Sequence, residues 1–309
     1  MSLTSVEGIK VGHWQDTKAH TGCTVILCPP EGCIASGSIR GSAPGSRETA
    51  LLAPEKSVER IHALCLSGGS AFGLATAEGV MRYLSERDIG FPTPFLKVPI
   101  VSAAVIYDFW LAEPMLRDVT VKPNAEQGYL AAQHASAEEV KPGRYGAATG
   151  ARCGKYLGLA NSSEWGGLGS SALLVQGVTI AALSIANPFG DITQEGQVIA
   201  GAHLADGARP KNRLESMKQF FPAGNTTLVA VATDAAISKT EASILADQAH
   251  IGIAQVMRPS HTPFDGDSTF VLSTGQGRRL PLAALAIAVQ QVVAEALIKG
   301  ALAANGVER

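Results

Sequence analysis

The stretch Thr226 to Thr233, "TTLVAVAT", constrains the fold more than any other, because it reads as a buried β-strand that opens directly after a turn. Val229, Val231 and Thr233 alternate with Ala230, Ala232 and Asp234, a period of two that favours extended backbone. Gly224 and Asn225, just ahead of it, tolerate the unusual backbone angles of turns. Two hydroxyl side chains, Thr226 and Thr227, therefore stand at the mouth of the strand. Local pattern supports a turn feeding a strand. A second reading makes Thr226 a new N-terminus, created by chain cleavage, and a nucleophile.

The flanking segments supply both helices and hairpins. "HTGCTVILCPP" alternates and then stops at Pro29-Pro30, as an early strand does. "IHALCLSGGSAFGLATAEGVMRYLSERDIGF" reads as strand, glycine loop and helix, with Ala71, Leu74, Ala75, Val80, Met81 and Leu84 on one apolar face. "SSALLVQGVTIAALSIANPFGD" reads as a hairpin turning at Gln176-Gly177. Ser238 with Glu241 three residues on forms a capping box, and the helix it opens is expected to close at Arg258, before Pro259. A last helix follows in "LPLAALAIAVQQVVAEALIKGALAA", where Gln290, Gln291, Glu295 and Lys299 argue for a packed helix rather than a membrane span. Helices and hairpins mix without strict βαβ alternation, and no linker or repeat divides the 309 residues. The expected fold is α+β, layered, in a single domain over residues 1–309.

Composition narrows the function. With 46% apolar and 17% charged residues the chain can build a large core. Its 25 basic and 27 acidic residues form no basic face, and aromatics are only 6%, so nucleic acid is not an expected partner. Cys23, Cys28, Cys33, Cys65 and Cys153 include no C-x-x-C pair and read as small buried side chains in a reduced, cytoplasmic compartment. The N-terminus "MSLTSVEGIKVGHW" has no signal-peptide pattern, and two N-x-Ser/Thr matches, at Asn161 and Asn225, carry no meaning in such a compartment. The seven histidines show no ligand spacing, so no metal site is expected. A Ser-His-Asp triad stays open from sequence, although no G-x-S-x-G supports it.

Three short motifs invite a functional reading, and only the last two keep it open. "GAATGARCGK" resembles a phosphate loop but encloses too few residues between Gly150 and Gly154, and Tyr156 follows Lys155 where Ser or Thr is needed. "SGGSAFG" either holds an anion on backbone amides or is a tight turn. In "HTPFDGDSTF", Asp265 and Asp267 are either a carboxylate pair on one side of an extended segment or an Asp-Gly turn before a strand.

Taken in order, "GIKVGH", "TGCTVIL", "LSGGSAFGLATAEGVMRYLSERDIGFP", "VPIVSAAVIYDF", "GAATGARCGK", "ANPFGD", "GNTTLVAVATDA" and "HTPFDGDSTF" run from residue 8 to residue 270. Together they resemble the self-processing aminopeptidase family that contains the D-aminopeptidase DmpA, the β-aminopeptidases and the nylon-oligomer hydrolase NylC. The resemblance implies an αββα sandwich, like the N-terminal-nucleophile hydrolases in architecture but different in connectivity. It implies a cut between Asn225 and Thr226, leaving residues 1–225 and 226–309 as paired chains that assemble into a homo-oligomer, commonly of four such pairs.

The resemblance also implies roles. Thr226 would be the nucleophile, with its freed α-amine as base. Lys155 would tune that amine and polarise the acyl group, and the Asn187 amide would donate to the oxyanion. Asp265 and Asp267 would anchor the new ammonium, and Tyr107 would line the substrate pocket. Thr226 in place of serine sets the chain nearer the nylon-hydrolase branch. The implied activity is hydrolysis of an amide or peptide through an acyl-enzyme, with no metal or organic cofactor and a small substrate. An amino-terminal peptide, a β-peptide, an ω-amino acid oligomer and a pantetheine-like amide all fit. Two other classes stay open: an acyltransferase of ornithine-acetyltransferase type, and an inert unprocessed binding scaffold.

Overall fold

Alternation along the strands sorts most buried side chains into three large cores, and those cores define the layers. The computed structural model describes residues 1–109, 120–158, 162–217 and 224–307. Asn161, and Pro222-Ala223 ahead of the central strand, lie outside the described residues. The principal strands are β1 (Lys10–Asp16), β2 (Thr21–Leu27), β3 (Cys33–Ile39), β4 (Ala63–Ser67), β5 (Val101–Val105), β6 (Leu168–Val175), β7 (Val178–Asn187), β8 (Thr226–Thr233) and β9 (Ser268–Ser273). The principal helices are α1 (Thr76–Ser85), α2 (Ala125–Gln133), α3 (Lys239–Val256) and α4 (Leu282–Ala304).

One sheet runs β1-β2-β4-β5 and ends on the short strand Ser46–Arg47; the other runs β6-β7-β8-β9-β3 and ends on Arg60–Ile61. Leu228, Ala230 and Ala232 of β8 point between the sheets, joining Leu183, Ile185 and Phe270 from their own sheet and Ile26, Leu64 and Leu66 from the other. Val229 and Val231 point the opposite way, into a core shared with α3 and α4. The outer face of the first sheet is covered by Ala77, Val80 and Leu84 of α1 and Ala131 and Ala132 of α2. The order is therefore helix, sheet, sheet, helix. Burying each large aliphatic side chain stabilises by roughly 1.5–3 kcal/mol, so a strand buried on both faces is a strong anchor.

β8 lies between antiparallel β7 and parallel β9, away from either sheet edge. The Gln176-Gly177 hairpin forms as expected, with Val175 opposite Val178. Helix α4 is long and apolar enough to cross a membrane by length and composition. Its buried residues, however, fall in one stripe (Leu285, Ala288, Val289, Val292, Val293, Ala296, Leu297, Gly300 and Ala301), at the spacing of a helix laid on a sheet. The polar residues of this helix also face protein: Ser171 on β6 donates to Glu295 at 2.7 Å and accepts from Lys299 at 3.1 Å.

Two local expectations change. Helix α3 ends at Val256, not Arg258, because Met257 and Arg258 pair instead with Ile192 and Asp191. Ala71 and Ala75 are exposed, since Ser70–Ala75 is a 3-10 turn and the apolar helical face begins only at Thr76. All five cysteines are free and buried.

Candidate active site

The site forms where β7 ends and β8 begins. Asn187, last in β7, pairs with Thr226, first in β8. One residue earlier, Asn225 forms a parallel bridge with Asp265. The Asn225 carbonyl oxygen accepts the Gly266 N–H at 3.0 Å and the Thr226 hydroxyl at 2.5 Å. Two donors thus converge on the carbonyl that precedes Thr226. Gly266 can come this close only as glycine, because a Cβ there would lie 2.4 Å from the Ala43 carbonyl oxygen.

Lys155 enters from a 3-10 turn over Lys155–Leu157, which the Gly190 and Phe189 carbonyls pin through the amides of Gly154 and Lys155. Its Nζ donates to the Asn187 backbone oxygen (2.9 Å), to Asn187 Oδ1 (3.1 Å) and to the Gly224 carbonyl (2.5 Å). Asn187 is held at both ends of its amide. Its Oδ1 also accepts the Arg152 N–H at 2.9 Å, and its Nδ2 donates to the carbonyls of Tyr107 (3.0 Å) and Gly224 (3.1 Å). The Asn187 amide therefore donates to the carbonyl one residue before the Asn225–Thr226 bond, and Gly266 donates to the carbonyl of that bond.

Tyr107 is brought here by its neighbour. Asp108 accepts the Gly69 N–H (2.9 Å) and the Thr21 hydroxyl (2.6 Å), so the glycine loop "SGGSAFG" is a tight turn that spends one amide on this chain's own Asp108 side chain. The Tyr107 ring then packs on Gly224, whose φ is 108° and where a Cβ would meet ring Cδ1 at 2.7 Å.

The two acids grip backbone on either side of the junction. Asp265 accepts the Phe189 N–H (3.2 Å), the Thr262 N–H (2.9 Å) and the Thr262 hydroxyl. Asp267 accepts the Thr227 N–H at 2.6 Å and, on its other oxygen, the His261 N–H and ring Nδ1. Burial pushes the Asp265 carboxyl up to about 6, and the nearby Asp267 charge adds to that. Burial likewise pulls Lys155 down to about 7, against the pull of Asp265 and Asp267. Lys155, Asn225 and Thr226 are each only 4% exposed, so the junction is closed to solvent.

Tyr107, Lys155, Asn187, Asn225, Thr226, Asp265 and Asp267 thus surround one backbone junction. Two contributors escape the sequence reading: the Gly266 amide, hidden inside what looks like an Asp-Gly turn, and His261, which looks like one polar histidine among seven. The spacing D-G-D before a strand is the one signal that could have exposed the first. Among the described residues no group of His, Cys, Asp or Glu could hold a metal ion.

An αββα sandwich that brings a buried lysine, a clamped amide and two carboxylates to the start of a central strand fits the class of amide hydrolases. Comparison with known proteins agrees with this class. The sequence matches peptidase family S58 over residues 1–309, and the chain belongs to that family. It is 37% identical to an uncharacterized aminopeptidase of Mycobacterium bovis, over 100% of this chain and 91% of that protein. It is 31% identical to the 6-aminohexanoate-oligomer endohydrolase of a Kocuria species, over 87% of this chain and 74% of that one. The fold is shared with the L-aminopeptidase D-Ala-esterase/amidase of Ochrobactrum anthropi, described as a variant of the Ntn-hydrolase fold, at TM-score 0.72 and 19% identity, covering 98% of this chain and 86% of that one. A Burkholderia β-aminopeptidase gives TM-score 0.71 at 18% identity, covering 97% and 85%.

Proposed function

We propose that Thr226 is the nucleophile, freed by cleavage of the Asn225–Thr226 bond into fragments 1–225 and 226–309. The observation that carries this reading is the Thr226 hydroxyl lying 2.5 Å from the Asn225 carbonyl oxygen, which also accepts the Gly266 N–H. Before the cut Thr226 has no free amine, so another base must take its proton. Lys155, buried beside the junction and drawn down to about 7, fills that role. The hydroxyl oxygen attacks the Asn225 carbonyl carbon, and the Gly266 N–H takes the charge that develops on oxygen. The peptide C–N bond breaks as Lys155 returns the proton to its nitrogen, which becomes the α-amine of Thr226, and water then hydrolyses the Asn225 ester.

The freed α-amine has an ordinary pKa of about 7.7–8.0, so part of it is neutral near pH 7 and serves as base for the next substrate. Departure of Gly224 and Asn225 releases Asn187 Nδ2 to donate to a substrate acyl oxygen. Thr226 attacks that carbonyl, the amine leaves, and water hydrolyses the acyl-enzyme. The names of the relatives support amides of amino acids in short oligomers as the substrate class.

The test compares Thr226→Ala with Thr226→Ser on a chromogenic anilide of a small amino acid. Thr226→Ser should keep measurable hydrolysis. Thr226→Ala should lose about 10³-fold or more and stay uncut. A Thr226→Ala protein that still cleaves itself, or still hydrolyses the anilide at the unmutated rate, contradicts the assignment.

A further inference from the structure

His261 belongs to the grip on the strand start, yet the steps above make no use of it. Its Nδ1 lies 2.8 Å from Asp267 Oδ2 and its Nε2 lies 3.4 Å from the His250 carbonyl oxygen. Carboxylate and carbonyl oxygens only accept hydrogen bonds, so a proton on each ring nitrogen satisfies both contacts, and that form is the imidazolium. His250 beside it differs. Its Nε2 meets the Ser38 carbonyl at 3.1 Å, while its Nδ1 is buried with no hydrogen-bond partner, which fits a neutral ring protonated on Nε2. The two rings meet edge to face, 4.8 Å between centroids.

Asp267 is fully buried, so its charge needs compensation where it stands. One of its oxygens faces His261, and the other takes the Thr227 N–H at 2.6 Å, one residue from the proposed nucleophile. We propose that His261 is a positioning residue: as an imidazolium it fixes the Asp267 side chain and, through the Thr227 amide, sets where Thr226 stands. The functional part of this inference rests on the reading of Thr226 as nucleophile; the His261–Asp267 clamp does not.

The charged and titratable groups around His261 agree with that assignment. Asp267 and Asp265 approach from its own segment, and His250 approaches from α3. Behind His250 stand Asp247 on the same helix and Arg40 just after β3. Burial alone would lower the His261 pKa, but bonding to Asp267 outweighs it and the pKa is raised above its ordinary value. The sign follows: the clamp is complete below the raised pKa and weakens as pH climbs through it. Turnover should therefore carry a falling alkaline limb that belongs to His261.

Two measurements on the purified protein test this. The first follows the His261 ring proton by NMR through pH, in the unmutated protein and in Asp267→Asn. Titration above 6.5 in the unmutated protein, falling in Asp267→Asn, is expected; titration at or below that value overturns the clamp. The second measures kcat and KM against pH for the anilide with His261→Asn, whose side-chain N–H replaces Nδ1–H without a titrating charge. The expected result is kcat lower by about tenfold, KM changed by less than about twofold, and the alkaline limb absent. A His261→Asn protein that keeps the limb, or keeps the unmutated kcat, overturns the positioning role. If the unmutated protein hydrolyses no anilide, that result contradicts the hydrolase reading, while the NMR titration still decides the clamp.

Discussion

At the scale of single residues, Lys155 stands close to its ionisation point, and its geometry explains why. Three carbonyl oxygens surround Nζ and suit an ammonium, while burial favours the neutral amine and brings the pKa to about 7. Below that value the side chain has no lone pair; above it, it can accept a proton. Self-cleavage should therefore accelerate as pH rises from 6 to 8, a change to follow by quantifying uncut chain against time. Lys155→Arg keeps a cation that does not deprotonate near neutrality and should leave the chain uncut. A Lys155→Arg protein that processes normally would show that charge, not basicity, is what matters there. Asn187→Ala should lower kcat by about 10²-fold with a smaller effect on KM, measured on whatever fraction is processed. Lys155 and Asn187 were legible as candidates only through resemblance. A lysine after a glycine turn looks solvated, and an Asn before Pro looks like a turn former; their burial is imposed by β7 and β8, distant in sequence from Lys155.

At the scale of elements, the start of β8 is pinned from both sides. β7 supplies the Asn187 pair, and the Asp265–Asp267 segment leading into β9 supplies the bridge to Asn225, the N–H that Gly266 donates and the carboxylate oxygen that accepts the Thr227 N–H. Gly266→Ala should slow self-cleavage sharply, because its Cβ would force the segment off the Ala43 carbonyl and carry the donor N–H away from Asn225. Accumulated uncut chain on a denaturing gel checks this; normal processing would show that the Gly266 N–H plays no part in the cleavage. Away from the site, Ser238 accepts the Glu241 N–H at 3.2 Å and the Glu241 carboxylate accepts the Ser238 N–H at 2.7 Å. Ser238→Ala should cost about 1 kcal/mol in urea unfolding without changing turnover. This cap was readable because it is local, four residues in one box. The end of α3 was not, since Met257 and Arg258 are claimed by Asp191 and Ile192, which no local signal announces.

At the scale of the whole molecule, layering turns a sequence pattern into a closed backbone junction. Period-two alternation in β8 marks a strand buried on both faces, and the two faces meet different partners: Leu228 and Ala230 the opposite sheet, Val229 and Val231 the helices α3 and α4. That much follows from alternation and apolar content. Which strands neighbour β8 does not, because parallel pairing with β9 joins segments far apart in the chain and places Asp265 and Asp267 at its start. The site was thus legible as a list through family resemblance, and its geometry only through the fold. Everything proposed for Thr226 depends on self-cleavage of the Asn225–Thr226 bond. The most direct measurement is the intact mass of the purified protein under denaturing conditions. Two species matching residues 1–225 and 226–309, replaced by one uncut chain in Thr226→Ala, are the expected result. A single 32.0 kDa chain that stays whole through days of incubation between pH 6 and 8 would contradict it.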